Sequence, residues 1–263
     1  MTTLRIGLRA LFLLSALCVL TPGIAFARQP NRWNVDLSPI NSWNASAKGN
    51  LAINGVADTP LSMNFSDAKS RTARGSAVHG EVRKGKWGII GDVNFIHLSS
   101  DVNYSDPHIE LPITGTLQMD QVMFNGKGTF LISPRHSLYA AVGLRAMTLS
   151  PSAQFIGPDD GLLTDIRANN RKVAGVIGVI YRPKVDEHLT ILTQADIGDG
   201  DAFTWSALGG LEFLVKPWVG VTAWYGATGI DTRNPSSIGT PTGDAKYALK
   251  LYGTAIGITF HMN

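Results

Sequence analysis

The sequence predicts an all-β fold: an antiparallel, up-and-down transmembrane β-barrel of about ten strands. Three observations predict it. Apolar residues recur with period two, connections alternate between short and long, and no segment beyond the N-terminus approaches 18 uninterrupted apolar residues. Backbone in lipid is satisfied only by helices or closed barrels, so without an apolar helix the spanning solution is a barrel.

The first 27 residues read as an address. Arg5 and Arg9 flank the start of the apolar run Leu11–Leu20, and Ala25-Phe26-Ala27 supplies a small-residue cleavage site. Leu17 stands where lipoprotein processing at Cys18 wants a small residue, so Cys18 leaves with the peptide. The expected organisation is a signal peptide over 1–27 and one barrel domain over 28–263. The mature chain then carries 21 basic and 20 acidic side chains and no cysteine. That near-neutral balance excludes the concentrated basic face of a nucleic-acid binder. With 44% apolar and 16% charged residues, the chain is not an ordinary disordered one.

Alternation defines the strands. In 139–148, Ala140, Val142, Leu144 and Ala146 share one face, and Gly143 and Arg145 the other. In 87–95, Trp87, Ile89, Val93 and Phe95 oppose Gly88, Asp92 and Asn94. An apolar face against a small and polar one fits lipid outside and a polar lumen inside. Ten strands follow, near 33–49, 72–83, 87–102, 109–132, 138–150, 172–182, 188–197, 202–215, 218–230 and 245–261. One miscounted hairpin would give eight or twelve. Residues 51–55 and 61–65 form a candidate hairpin above the barrel.

Punctuation supports the count. Short turns fall at Lys84–Lys86, Ser133–His136, Pro183–Glu187 and Lys216–Pro217. Between them lie mostly longer connections, near 50–71, 103–108, 151–170 and 231–244, with the short Gly198–Asp201 among them. Tight periplasmic turns and longer outer loops produce this alternation. The loops Pro151–Asn170 and Asp231–Asp244 are the expected recognition surfaces. Many of the glycines lie inside strands, where they permit bends and close backbone approach. Trp33, Trp87 and Trp218 fall beside periplasmic turns, with Trp43 and Trp224 further along, as candidates for interfacial girdles.

The final strand alternates Ile256, Ile258 and Phe260 before His261-Met262-Asn263. Outer-membrane barrels typically close with an alternating strand ending in an aromatic. Phe260 is therefore the candidate assembly signal, three residues short of the end.

A resemblance adds to these readings. It is carried by Trp43, Phe65-Ser66-Asp67 and Glu81-Val82-Arg83-Lys84-Gly85-Lys86-Trp87-Gly88-Ile89-Ile90-Gly91-Asp92. A second block has Ala195-Asp196-Ile197-Gly198, Phe203-Thr204-Trp205, Gly209-Gly210-Leu211-Glu212-Phe213, Trp218, Gly220 and Tyr225-Gly226. In this order the chain resembles a large, largely uncharacterised group of Gram-negative outer-membrane β-barrel proteins, small barrels of the OmpA and OmpW kind. The resemblance departs at Ala227-Thr228, where the group tends to have Arg and then an aromatic, and beyond Phe260. It implies a location in the cell outer membrane and no reaction. The implied partners are outer-membrane lipid and lipopolysaccharide, and the barrel-assembly machinery during biogenesis.

Parity assigns Glu81, Arg83, Asp92, Asn94, Arg145, Arg182, Gln194, Asp196 and Glu212 to the lumen, with Arg145 and Glu212 as leading lumen charges. Mixed signs in a narrow barrel favour pairing and occlusion over a selective pore. The leading expectation is a small barrel with a structural or interaction role, or weak passage of small solutes. One alternative is enzymatic. His97 and Ser99 share a face with Asp101, and an imidazole beside a hydroxyl activates it for acyl transfer. This His-x-Ser pair resembles that of outer-membrane lipid A deacylases, which also need an acidic partner. Another alternative is a soluble periplasmic β-barrel carrier.

Neither metal nor cofactor is expected. His79, His97, His108, His136, His188 and His261 form no compact ligand set. Asp199-Gly200-Asp201 and Pro158–Gly161 lack the spaced oxygens of a calcium loop. No Gly-rich phosphate loop opens a helix.

Overall fold

The computed structural model describes residues 32–52, 59–63, 74–105, 112–156, 162–167, 169–232 and 246–262. The expected signal peptide over 1–27, Phe65-Ser66-Asp67, the acidic turn near 159–160 and most of the 231–244 loop lie outside them.

Twelve strands form among the described residues. They are β1 (Trp33–Ala52), β2 (Thr59–Met63), β3 (Arg74–Lys84), β4 (Trp87–Ser105), β5 (Pro112–Ser133), β6 (Leu138–Ile156), β7 (Leu162–Arg167), β8 (Asn170–Tyr181), β9 (Leu189–Gly200), β10 (Phe203–Lys216), β11 (Val219–Asp231) and β12 (Lys246–Met262). β2 and β7 are short additions on β1 and β6. The other ten pair antiparallel in sequence order, and β12 returns to pair with β1. The result is the closed ten-stranded barrel that alternation predicts. Each wall strand has at least 11 residues, enough for the roughly 9–11 that a tilted strand needs to cross a bilayer.

The wall has polar residues inside and apolar ones outside. Along β12, Leu251, Ala255 and Thr259 are buried, while Ile256, Ile258 and Phe260 are exposed. On β6, Arg145 is 1% exposed and its neighbour Leu144 is 58% exposed. Buried arginine beside exposed leucine is the reverse of a water-soluble sheet. The soluble-carrier alternative therefore does not fit, because this belt of Val, Ile, Leu, Phe and Trp needs lipid around it.

Both barrel termini and the β3–β4, β5–β6, β8–β9 and β10–β11 turns lie at one end, the periplasmic end by the barrel rule, with the short β9–β10 turn at the other. β3 and β4 are joined through Gly85, whose φ of 59° meets the positive-φ demand of a two-residue hairpin. Trp33, Trp87 and Trp218 are exposed at this end, and Lys84 and Lys216 lie over the rings of Trp33 and Trp218. At the opposite end β4 runs from Leu98 to Ser105 past its last β3 partner, His97. β5, β6 and β7 continue that raised ribbon. Residues 151–156 and 162–167 are thus paired strands rather than the open loop expected there.

One further expectation is corrected. Trp224 does not join a girdle: it packs in the lumen against Ile40, Ala77 and Ala255, because position 224 has inward parity on β11. β12 continues through Met262, and His261 pairs in register with Asp36. The side chain of Trp43 lies outside the described residues.

β1 also carries a bulge. Its β12 partners jump from Leu37↔Phe260 to Ser42↔Ile256 and its β3 partners from Ile40↔Ala77 to Trp43↔Gly75, one extra residue on the β1 side, which places the bulge just after Ile40. The extra residue flips the parity of β1, so Asp36, Ser38 and Ile40 are buried before it and Ala47 after it.

Candidate functional site

The chemistry of this barrel is concentrated in its lumen. Arg145 projects inward from β6 and is held by four hydrogen bonds. Its Nε donates to Asn125 Oδ1 at 2.6 Å and its Nη1 to Thr204 Oγ1 at 3.0 Å. Its Nη2 donates to Asp196 Oδ1 at 2.7 Å and to Ser206 Oγ at 3.2 Å. The second oxygen of Asp196 accepts from Lys127 Nζ at 2.6 Å and from Gln194 Nε2 at 3.3 Å. β6 neighbours β8, yet Arg145 reaches past it to β9 and β10. Barrel curvature brings those strands within one side chain's length.

Gly143 shows how tightly the wall is drawn here. A Cβ on it would lie 1.9 Å from the backbone oxygen of Gly126, so no side chain fits beside Arg145 on β6. Gly88 does similar service lower down, where a Cβ would meet Arg83 Cγ at 2.8 Å.

A second network fills the periplasmic half. Arg83 pairs with Asp36 and lies 3.2 Å from Glu81 Oε1, and Glu81 also pairs with Arg182 of the β8–β9 turn. Asp36 Oδ1 contacts His261 Nδ1 at 2.8 Å, and His261 Nε2 lies 2.8 Å from Glu212 Oε1. The chain Glu212–His261–Asp36–Arg83–Glu81–Arg182 thus spans the lumen from β10 to β8. His79 Nδ1 sits 2.5 Å from Asp92 Oδ1 between the two networks. Ser38, Thr259 and Thr222 extend a hydroxyl ladder along the neighbouring wall.

Parity places the expected lumen residues Glu81, Arg83, Asp92, Asn94, Arg145, Arg182, Gln194, Asp196 and Glu212 on this inner surface, where each is buried or lines the cavity. Sequence reasoning missed Asp36, Lys127, Asn125 and His261. Extending period-two alternation through 119–131 would have found Asn125 and Lys127. Asp36 and His261 sit at strand ends, where the pattern has too few residues to read.

A cavity of about 140 Å³ remains in the lumen. Its wall on β11 and β12 includes Gly226, Gly253, Ala255 and Gly257, so the open space lies against small residues. Further toward the outer end, Ile96, Leu98, Met119, Met147, Leu149 and Leu251 are all buried on the inward-facing parity. Charge pairs and an apolar layer thus lie in series along the bore.

His97 and Ser99 lie on the outward face of β4, near its outer part. His97 Nδ1 contacts Asp120 Oδ1 of β5 at 2.6 Å, and the two residues are register partners. The acid it contacts is thus Asp120, across the ladder; the side chain of Asp101 lies outside the described residues. No hydrogen bond joins His97 to Ser99 among the described residues. Those residues also hold no group of three His, Cys, Asp or Glu arranged for a metal ion. Phe260 is exposed on the outward face, opposite Val219 and Leu37.

Comparison by sequence matches no family model and no curated protein. Comparison by structure gives outer-membrane barrels. The outer membrane protease OmpT from Escherichia coli is similar at a TM-score of 0.53 and 12% identity, over 91% of this chain and 99% of that one. The translocator domain of the autotransporter NalP from Neisseria meningitidis gives 0.47 at 10% identity, over 98% and 96%. The attachment invasion locus protein Ail of Yersinia pestis gives 0.31 at 11% identity, over 89% and 100%. The chain has the fold of an outer-membrane β-barrel. At these identities the likeness extends to the fold alone.

Proposed function

We propose that this protein is a small outer-membrane barrel with a structural and interaction role, its bore closed by its own side chains. The observation that carries this reading is Arg145, fully buried and bonded to four groups on three other strands. A guanidinium so held does not move aside for solute. The raised ribbon of β4–β7 is the surface such a scaffold presents outward. The small-barrel resemblance of OmpA and OmpW kind supports the same reading. Weak passage of small solutes is the competing form of the proposal, and single-channel recording in planar bilayers separates them. Occlusion gives no discrete conductance steps, whereas steady steps from wild-type protein would replace it with a channel.

The His97–Asp120 contact favours a second reading, hydrolysis of a lipid acyl ester with Ser99 as nucleophile. An oriented, acid-paired imidazole on a lipid-facing surface suits that chemistry. Mass spectrometry of lipid A from cells carrying wild type and Ser99→Ala tests it. Identical acylation patterns would remove this reading.

A further inference from the structure

A second charged feature lies on the opposite side of the wall, facing outward at the far end. Lys48 of β1 and Lys250 of β12 are register partners and both are exposed. Like charges directly opposite each other on neighbouring strands repel. No carboxylate pairs with either lysine among the described residues. Asp231, exposed on β11, stands one step further out, opposite Ala248.

Lys250 is also held in place. Its Nζ lies 5.7 Å from the ring centre of Trp205. Trp205 in turn lies across Gly229, where a Cβ would sit 2.0 Å from the indole nitrogen. Gly229 is the register partner of both Trp205 and Lys250. Four neighbouring strands therefore build one platform: the indole of β10 lying across the glycine of β11, the Lys250 ammonium of β12 over its ring, and Lys48 of β1 beside Lys250.

The level of the platform in the membrane identifies its occupant. Phe260 marks the periplasmic end of β12, opposite Val219. Lys250 is ten residues further along the same strand. At about 3.3 Å per residue and a tilt of about 40°, that is roughly 25 Å of height, the thickness of a barrel's apolar band. Lys48 and Lys250 thus emerge at the headgroup level of the outer leaflet, facing lipid rather than the lumen.

We propose that Lys48, Lys250 and Trp205 form a binding site for the phosphorylated sugar headgroup of lipopolysaccharide. A phosphate between the two ammonium groups removes their repulsion, and the indole packs against the sugar and the first acyl carbons. The site rests on the outer-membrane placement of the barrel and is independent of whether the lumen is closed.

The test is native mass spectrometry of the detergent-solubilised protein with bis-phosphorylated lipid A, and separately with phosphatidylglycerol. Wild type is expected to retain lipid A in preference to phosphatidylglycerol. A lysine near an anionic lipid surface contributes about a factor of five, so K48Q/K250Q is expected to bind lipid A roughly 30-fold more weakly. K48R/K250R, which keeps both charges, is expected to stay within about threefold of wild type on the same scale. A heat-dependent shift on electrophoresis shows which variants are folded. Should the double Gln variant fail to fold, the single variants K48Q and K250Q carry the test at about fivefold each. Glutamine variants that bind lipid A as wild type does would overturn the site. Equal binding of phosphatidylglycerol would overturn the assignment to lipopolysaccharide.

Discussion

Arg145 Nη2 and Asp196 Oδ1 lie 2.7 Å apart inside the barrel, each side chain 1% exposed, although 51 residues separate them in sequence. Lys127 holds the other oxygen of the same carboxylate. β6, β9 and β5 are thereby joined through one buried anion in addition to their backbone ladders.

Removing Arg145 leaves Asp196 with one cation and strands Asn125 and Thr204. Breaking a buried pair by deleting one partner costs about 3–5 kcal/mol. Arg145→Ala is expected to lower the urea midpoint of the heat-modifiable band by a corresponding amount, with Asp196→Asn close behind. The double variant is expected to lose less than the sum of the two, because both remove the same contact. Strict additivity would mean that the pair is not coupled.

The last residues of the chain are expected to matter out of proportion to their position. His261 bridges the carboxylates of Asp36 and Glu212 in the bore. His261→Ala is expected to destabilise the barrel by about 1–3 kcal/mol, the range for leaving buried polar groups unpartnered. Ending the chain after Phe260 is expected to give the same loss. Unchanged unfolding in urea for either variant would remove His261 from the network.

Two glycines two strands apart, Gly91 on β4 and Gly143 on β6, give a contrast. Gly143→Val puts a branched side chain where a single Cβ already meets backbone at 1.9 Å, and is expected to prevent barrel closure. Gly91→Ala adds a Cβ with nothing within 4 Å and is expected to assemble normally. The fraction of protein that shows the heat shift reads both outcomes. Equal assembly of the two variants would contradict the tight approach at Gly143.

In the β8–β9 turn, outside the spanning wall, Asp186 Oδ1 accepts the backbone N–H groups of His188 and Leu189, each at 2.7 Å. These bonds hold the carboxyl below its ordinary value of 3.8. A lowered value means that the turn's added stability is present above 3.8 and is lost as pH falls through the lowered value. Hydrogen exchange at His188 and Leu189 is expected to stay slow at pH 5 and to lose its carboxylate-dependent protection under stronger acid. Asp186→Ala is expected to lack that protection at both. Equal protection of those two amides in wild type and variant at pH 5 would show that the side chain does not fix the turn.

The wall was legible in the sequence because lipid and lumen impose opposite demands on alternate residues. Ile89, Val142 and Ile256 face out while Arg83, Arg145 and Glu212 face in, and period two records this directly. Strand order followed from the turns at Gly85 and Pro217. The bulge after Ile40 left no such trace, since one extra residue changes parity without changing composition. Partnerships were also hidden. Arg145–Asp196 and Glu81–Arg182 join strands that are not neighbours, and only the curvature of the closed wall brings them together. His97 illustrates the same limit. Its acid lies across the ladder at Asp120, whereas spacing along one strand points to Asp101.

The most direct measurement is fractionation followed by electrophoresis of unboiled and boiled samples. A closed, lipid-embedded barrel requires a band in the outer-membrane fraction that migrates as a compact species unheated and shifts after boiling. A soluble protein with no heat shift would contradict the barrel, and with it the buried network that Arg145 anchors.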